Sequence, residues 1–406
     1  MHPTLDPVIA EYLELSLTIE RLFPGFVDGY FGPPQLREAV ETAPEPQAAE
    51  LLRRAEALNV AVEAADLDPR RTDFFSAQTR AMVAICRKLT GDELPYREEV
   101  ETFFDIAPDA TPEATFDEAI ARLDALLPGT GDVGPRMVEW QERTVVTPEM
   151  ARQLIDRIAE ETRRRTVAFI DLPPVESVEF RMVENQPWSG YNWFLGGGHS
   201  RVEINTDLPI RASALPGLIA HEAYPGHHTE HSLKEHELYR ARGYGEYAIQ
   251  LINTPECVIS EGIATLAEGI IFPGDEAARW MSEEIYPLAS ITLDPEQAHG
   301  IAQAQRALRA VGANAALLMH DHGASDDEVV AYLVRYGLED EERARHRLGF
   351  IKSPLWRAYI FCYHAGRDLL GAWLDQVPAE RHARFSTLLI EPVTPSLVAS
   401  WIAEEQ

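Results

Sequence analysis

The eight residues His221–His228 are the part of the chain whose side chains could best do chemistry. They read His-Glu-Ala-Tyr-Pro-Gly-His-His, which places three imidazoles and one carboxylate within a single short segment. Imidazole nitrogens are common zinc ligands, and a carboxylate beside them can act as a base on water. The segment therefore predicts a zinc site with Glu222 as the general base.

The spacing departs from the helical zinc signature H-E-x-x-H, because Pro225 occupies the place of the second histidine. On a regular helix His221 and His228 would lie about 10 Å apart along the axis, which is too far for one zinc ion. Proline disrupts a helix and the following Gly226 tolerates unusual backbone angles. We therefore predict a helix break at Pro225 that brings His227 to His221. His228 remains the alternative second ligand.

A zinc centre with two histidines needs a third protein ligand and an open position. Glu261 lies in the mostly apolar helical segment Glu256–Glu268, where an unpaired carboxylate would be costly. Glu261 is therefore the predicted third ligand, and Glu268 is predicted to orient one of the histidines. The alternative is that both carboxylates face solvent. His231 and His236 are predicted to be surface or supporting groups.

The segment Trp356–Arg367 contains the candidates for contacts with a substrate. Tyr359, Tyr363 and Arg367 recur every four residues and so share one helix face. Tyr363 or His364 could donate a hydrogen bond to the oxyanion formed in hydrolysis, and Arg367 could bind a carboxylate through two hydrogen bonds. The alternative is a packed amphipathic helix with charged ends that reach solvent.

The remaining sequence predicts a mainly α fold with a central cleft. Helical spacing of apolar residues, with proline and glycine at helix ends, covers most of the 406 residues. Residues 175–206 differ, because alternating apolar positions predict a small antiparallel sheet beside the active-site helix. Its strand at 201–205 could bind a substrate backbone along its edge. A change in composition near Asp171 predicts an N-terminal helical region at 1–170 and a metal-site region at 171–406, or one continuous domain.

Two segments carry a resemblance to a known family. His221–His228 resembles the HExxPGHH signature of the domain-of-unknown-function 885 family, and Glu261–Glu268 resembles its downstream E-G-x-A-x-x-x-E segment. Tyr30–Pro34 and Tyr363–Gly366 fit the family more loosely. Members are mostly helical and are regarded as zinc metallohydrolases related to H-E-x-x-H carboxypeptidases. The resemblance therefore implies a helical, cleft-containing peptidase-like fold.

The resemblance implies that His221, His227 and Glu261 hold Zn2+ and that Glu222 is the general base. Glu222 would take a proton from water and pass it to the leaving amine, while zinc supplies the Lewis acid. These residues predict a zinc-dependent hydrolase of amide bonds, and the resemblance favours short peptides as substrates. Two alternatives remain open: a metallohydrolase acting on a non-peptide amide, and a catalytically silent protein that binds a metal or a peptide.

The composition limits the partners. A net charge of −30 opposes binding to nucleic acid and to anionic membranes. The sequence contains no run of about 18 apolar residues, so it predicts no membrane-spanning helix. The three cysteines are far apart and predict neither a disulfide framework nor a thiolate zinc site. The first residues lack a secretory signal, which predicts a cytoplasmic location. The sequence leaves the oligomeric state open.

Overall fold

The computed structural model describes residues 6–186 and 188–405. Residues 1–5, which bear on the predicted lack of a secretory signal, lie outside these ranges. About 66% of the chain is helical, which confirms the predicted mainly α class.

Helices fill the chain up to residue 166. They are α1 (Pro7–Glu20), α2 (Pro34–Thr42), α3 (Ala48–Glu63), α4 (Pro69–Leu89), α5 (Tyr96–Phe104), α6 (Glu113–Leu126), α7 (Val133–Glu142) and α8 (Pro148–Thr166), with strands β1 (Val27–Tyr30) and β2 (Val145–Val146) between them. Asp6, Asp68 and Thr147 begin α1, α4 and α8 by accepting hydrogen bonds from the first helical turn. Proline at the next position has its backbone angle already set for a helix.

The small sheet lies where the sequence predicts it. Its strands are β3 (Ser177–Val183), β4 (Gly190–Gly196) and β5 (His199–Asn205), whereas β6 (Ile210–Arg211) pairs with β2. The β4–β5 pair is antiparallel as predicted, but β3 runs parallel to β5. The sheet is mixed because the spatial order is β3-β5-β4, with β5 between the other two. β5 therefore has no free edge for a substrate, contrary to the expectation for 201–205, and β4 is an edge strand.

Helices resume after the sheet. They are α9 (Leu215–Glu222), α10 (His227–Lys234), α11 (Pro255–Ile271), α12 (Glu276–Trp280), α13 (Pro295–Ala307), α14 (Val311–His320), α15 (Asp326–Gly337), α16 (Glu341–Lys352), α17 (Ile360–Gln376), α18 (Arg381–Ile390) and α19 (Pro395–Glu404). Strand β7 (Ile249–Leu251) pairs with β1. In the described part of the chain no single helix could cross a membrane, and Pro255–Ile271 with Glu276–Ala289, bent by 63°, meets the length and composition requirement only as a pair.

The largest hydrophobic cluster contains residues from both ends of the chain. Tyr12, Phe75 and Phe104 pack there with Val258 and Phe361. The cluster thus spans the predicted boundary at 170/171, and the division into two regions stays a prediction from composition.

Helices α11 and α17 cross at two glycines. A Cβ atom on Gly366 would lie 2.2 Å from the carbonyl oxygen of Val258, and one on Gly262 would lie 2.8 Å from the backbone of Gly366. Neither position has room for a methyl group, so the two backbones touch. This close crossing brings Glu261 on α11 to Tyr359 at the start of α17.

Candidate metal centre

The helix break predicted at Pro225 is confirmed. α9 ends at Glu222 and α10 begins at His227, with a bend of four residues between them. The Tyr224–Pro225 peptide bond is cis. The bend brings the rings of His221 and His227 edge to face, with centroids 4.8 Å apart. Two histidines that a straight helix would point to different sides are therefore neighbours.

Gly226 makes this bend possible. Its backbone N–H donates to the carbonyl oxygen of Ala220 at 2.9 Å, so the chain folds back on the end of α9. A Cβ atom at this position would lie 1.9 Å from the carbonyl oxygen of His221. Glycine is thus required by the close approach of two backbone segments.

His221, His227 and Glu261 form a group that could hold a metal ion. Their candidate ligand atoms all lie within 4.8 Å of one another. Nε2 of His221 is 3.5 Å from one carboxylate oxygen of Glu261, and Nε2 of His227 is 4.0 Å from the other. Ligand bonds of about 2.1 Å in tetrahedral geometry place donor atoms about 3.4 Å apart. The separations and the donor types suit zinc.

The hydrogen bonding of Glu261 also fits a bound cation. One of its oxygens accepts a hydrogen bond from the Tyr359 hydroxyl at 2.7 Å. The other, Oε2, is buried without a hydrogen-bond partner among the described residues. Burial raises the pKa of Glu261 to about 8. A buried carboxylate oxygen that faces an imidazole and lacks a donor is the atom a metal ion would satisfy.

A buried chain of hydrogen bonds orients His227. Its Nδ1 lies 3.1 Å from the Ser260 hydroxyl, which donates to Glu230 at 2.6 Å. Burial favours protonation of Glu230, but the charge of Lys234, 2.7 Å away, holds the pKa of Glu230 below its usual value. Because the Ser260 proton goes to Glu230, His227 must carry its hydrogen on Nδ1. The lone pair on Nε2 is then free to bind a metal beside Glu261.

A second group, His227 with Glu230 and His231, also has its ligand atoms within 4.8 Å of one another. Both oxygens of Glu230 already accept short hydrogen bonds, from Lys234 and Ser260. The first group is therefore the better metal site, and His231 lies beside it with its ring parallel to that of His227.

Glu222 lies next to this group in the same cavity. Burial, and then the charge of Glu261, raises the pKa of Glu222 to about 8. The side-chain amide of Asn192 on β4 donates to the Glu222 carbonyl oxygen at 2.5 Å, which ties the end of α9 to the edge strand. A carboxyl group with this pKa exchanges protons near neutral pH.

The cavity has a volume of about 230 Å³ and mixes aromatic with ionisable side chains. Its lining includes Asp28, Trp188, Tyr191, Asn192, His221, Glu222, His227, His231, Glu261, Phe350, Trp356, Tyr359 and Tyr363. Asp28 and Tyr191 were not predicted as site residues, and His231 was predicted only as a surface or supporting group. The Tyr191 hydroxyl donates to Asp28, and burial raises the pKa of Asp28 to about 6. No local pattern reveals Asp28, because only the tertiary fold brings β1 to the motif.

His228 lies outside the metal group. Its Nδ1 is 2.8 Å from the Ser200 hydroxyl and its Nε2 is 3.0 Å from Glu176, so both ring nitrogens are engaged in a fully buried place. Burial opposes ionisation of Glu176, but hydrogen bonds from His228, Tyr224 and Arg163 lower its pKa to about 2. His228 thus fastens the bend to the sheet, and the geometry favours His227 as the second imidazole ligand.

The other residues predicted at the site do not all line the metal cavity. Tyr363 lines the cavity, and 37% of its surface is exposed. Tyr359 donates its hydroxyl to Glu261. His364 does not line the cavity, and its Nδ1 is buried without a hydrogen-bond partner among the described residues. Arg367 and Glu268 line a second cavity. Glu268 as a partner of a histidine does not agree with this position, whereas Arg367 as the group that binds a substrate carboxylate stays a prediction.

The fold and the site define a mainly helical protein with a candidate metal centre at a break between two helices. Neither a family model nor a curated protein matches the chain, so the resemblance to the domain-of-unknown-function 885 family rests on the motif residues.

Solved structures give more distant likenesses. A candidate lipoprotein from Colwellia psychrerythraea is 16% identical, with a TM-score of 0.54 over 91% of this chain and 69% of that one, and shares the fold. A candidate lipoprotein of unknown function from Shewanella oneidensis is 12% identical, with a TM-score of 0.49 over 91% and 75%. An M32 carboxypeptidase from Deinococcus radiodurans R1 is 11% identical, with a TM-score of 0.38 over 94% and 89%.

Proposed function

We propose that the chain is a zinc-dependent hydrolase of amide bonds and that short peptides are its substrates. The observation that carries the proposal is the unpartnered buried oxygen of Glu261, 3.5 Å from Nε2 of His221. This oxygen, Nε2 of His221 and Nε2 of His227 form a donor set with the composition and spacing that zinc takes in catalytic sites. Glu222 in the same cavity supplies the base that a simple binding site would not need.

Each residue then has a defined task. His221, His227 and Glu261 hold the metal, which when bound supplies a Lewis acid that makes water acidic near neutral pH. Glu222 accepts the proton of the attacking water and transfers it to the leaving nitrogen. Tyr363 donates a hydrogen bond to the carbonyl oxygen as negative charge develops on it.

The edge strand supports peptides over other amides. Gly190, Tyr191 and Asn192 of β4 line the cavity, and β4 has a neighbouring strand of its sheet on one side alone. Oδ1 of Asn192 is buried without a hydrogen-bond partner in the described part of the chain. An extended peptide can pair with such an edge through its main chain. A non-peptide amide would use the metal group and Glu222 but would leave this edge unused.

Metal analysis combined with one substitution tests the proposal. We expect purified protein to contain one equivalent of zinc and to cleave members of a short-peptide library. Glu222→Gln should keep the zinc and lose roughly 100- to 10,000-fold in kcat, the usual contribution of a general base. Glu283→Gln, which changes an exposed glutamate on the surface, is the control.

Three outcomes would contradict parts of the proposal. Protein without stoichiometric zinc would remove the metal assignment. Full activity of Glu222→Gln would remove the base assignment. Zinc without hydrolysis of peptides or of other amides would favour the silent binding protein.

A further inference from the structure

A second cavity, of about 580 Å³, is lined by several arginines and by one carboxylate, that of Glu268. Arg306, Arg309 and Arg367 all line it. Within residues 6–186 and 188–405, Arg306 and Arg309 form no ion pair, and the nearest carboxylate oxygen to Arg367 is that of Asp368 at 3.8 Å. Glu268 also lines the cavity but lies beyond ion-pair distance. The cavity therefore holds an excess of positive charge.

Other arginines of the chain are paired with carboxylates. Arg71 donates to Glu246 at 2.6 Å and Arg384 donates to Glu405 at 2.8 Å. Carboxylates are abundant, because the sequence has 66 aspartates and glutamates against 36 lysines and arginines. Burial, and then the charges of the neighbouring arginines, lowers the pKa of Arg309. Clustered like charges are unfavourable, and such arrangements are typical of binding sites for the opposite charge.

The arginine cavity is built on the same helices as the metal cavity. α11 carries Glu261 in the metal cavity and Glu268 in the arginine cavity, about 10 Å further along the helix axis. α17 likewise carries Tyr363 in one and Arg367 in the other, one turn apart.

A third cavity lies beside the other two. It shares Trp188 with the metal cavity and Arg309 with the arginine cavity. The metal cavity and the arginine cavity therefore each border this third cavity.

We propose that Arg306, Arg309 and Arg367 form an anion subsite that binds a carboxylate of the substrate. The inference rests on the proposed function and names its substrate class. Glu261 and Glu268 lie about 10 Å apart along α11, a length that an extended peptide of about 3.3–3.6 Å per residue covers in about three residues. The carboxylate is either the C-terminal one of a short peptide or that of an acidic side chain at this distance. Guanidinium groups bind such carboxylates through paired hydrogen bonds.

Binding of matched peptides to the zinc-loaded Glu222→Gln protein tests the subsite without turnover. The probes are acetyl-tetraalanine as the free acid, the same peptide as the C-terminal amide, and an amide-terminated peptide with glutamate at the third position. Calorimetry should show the free acid or the glutamate peptide binding roughly 10- to 100-fold more tightly than the plain amide. If the free acid binds more tightly than the glutamate peptide, the carboxylate is the C-terminal one, and in the opposite case it is that of an acidic side chain.

Substitution of the arginines should abolish this difference. In a variant with Arg306→Gln and Arg309→Gln, the acid and the amide should bind with nearly equal affinity, whereas Arg309→Lys should keep part of the preference. Arg345→Gln, at an exposed arginine on α16, is the matched control and should keep all of it. Thermal unfolding should show no loss of stability in the double variant, because like charges are removed.

Equal binding of all three peptides by the parent protein would overturn the subsite. A loss of affinity in the double variant that affects acid and amide alike would do so too. Displacement by inorganic phosphate without any acid–amide difference would overturn the carboxylate assignment. Failure of the proposed function is distinguishable, because a protein that binds no zinc and cleaves nothing would still show the acid–amide difference if the arginines bind a carboxylate.

Discussion

Replacing Glu261 by glutamine should weaken metal binding and, at high pH, stabilise the metal-free protein. Burial raises the pKa of Glu261 from 4.5 to about 8. The folded chain therefore binds this proton more tightly than the unfolded chain between about pH 4.5 and pH 8, and stability falls as the pH rises through this window. A difference of roughly 3.5 in pKa, at about 1.4 kcal/mol for each pKa unit, sets a ceiling of about 5 kcal/mol on the loss.

Glutamine avoids this loss, because it stays neutral and its amide oxygen can still accept the hydrogen bond from Tyr359. In EDTA at pH 9, urea unfolding should show Glu261→Gln to be more stable than the parent protein by about 2–5 kcal/mol. At pH 5.5 the difference should shrink to at most about 1.4 kcal/mol, the part of the loss that accrues in the first pH unit above 4.5. Excess zinc should reverse the order at pH 9, because metal binding stabilises the folded state that retains the ligand.

The control is Glu283→Gln at an exposed position, which should follow the parent protein at both pH values. The reasoning would be refuted if Glu261→Gln unfolded at lower urea concentration than the parent in EDTA at pH 9. It would also be refuted if zinc stabilised both proteins equally, because Glu261 would then not be a ligand.

Three further substitutions test the parts that position the site. Ser260→Ala removes the group that fixes the tautomer of His227 and should weaken zinc binding roughly 10- to 100-fold in a chelator titration. Unchanged zinc affinity would contradict the role of the hydrogen-bond chain from His227 through Ser260 to Glu230. Gly226→Ala places a methyl group against the carbonyl of His221 and should abolish stoichiometric zinc in metal analysis. Glu176→Gln should lower the free energy of unfolding at pH 7 by about 3 kcal/mol, measured with urea, because the hydrogen bonds from His228, Tyr224 and Arg163 favour the carboxylate and lower its pKa to about 2. The difference should shrink as the pH falls from 4.5 toward 2, where Glu176 itself becomes protonated.

The sequence predicted the parts of the site that depend on local chemistry. The steric conflict of a proline within a helix is a property of neighbouring residues, so the break at Pro225 could be foreseen. The cost of a carboxylate in an apolar helix likewise pointed to Glu261, which comes from a separate helix to face His221. The helical class followed from periodicity in the same way.

Other features depend on contacts between distant segments and could not be foreseen. The hydrogen bond from Tyr359 to Glu261 joins residues 98 apart in the sequence. Spacing along α17 gave Arg367 the same face as Tyr363, but the crossing with α11 places the two in different cavities. The parallel pairing of β3 with β5 was missed because alternation of side chains indicates a strand without giving the order of its neighbours.

The glycine contact between α11 and α17 has a consequence for the length of any ligand that occupies both cavities. With no room for a methyl group at Gly262 or Gly366, the two helices meet backbone to backbone and their register cannot slip without a clash. The backbone separation of Glu261 from Glu268 on α11, and of Tyr363 from Arg367 on α17, is then set by the rise of each helix. The backbone contact therefore fixes the position of one helix relative to the other. Substitutions of lining residues can alter which side chains of a ligand are accepted, while the ligand length that reaches from one cavity to the other stays the same.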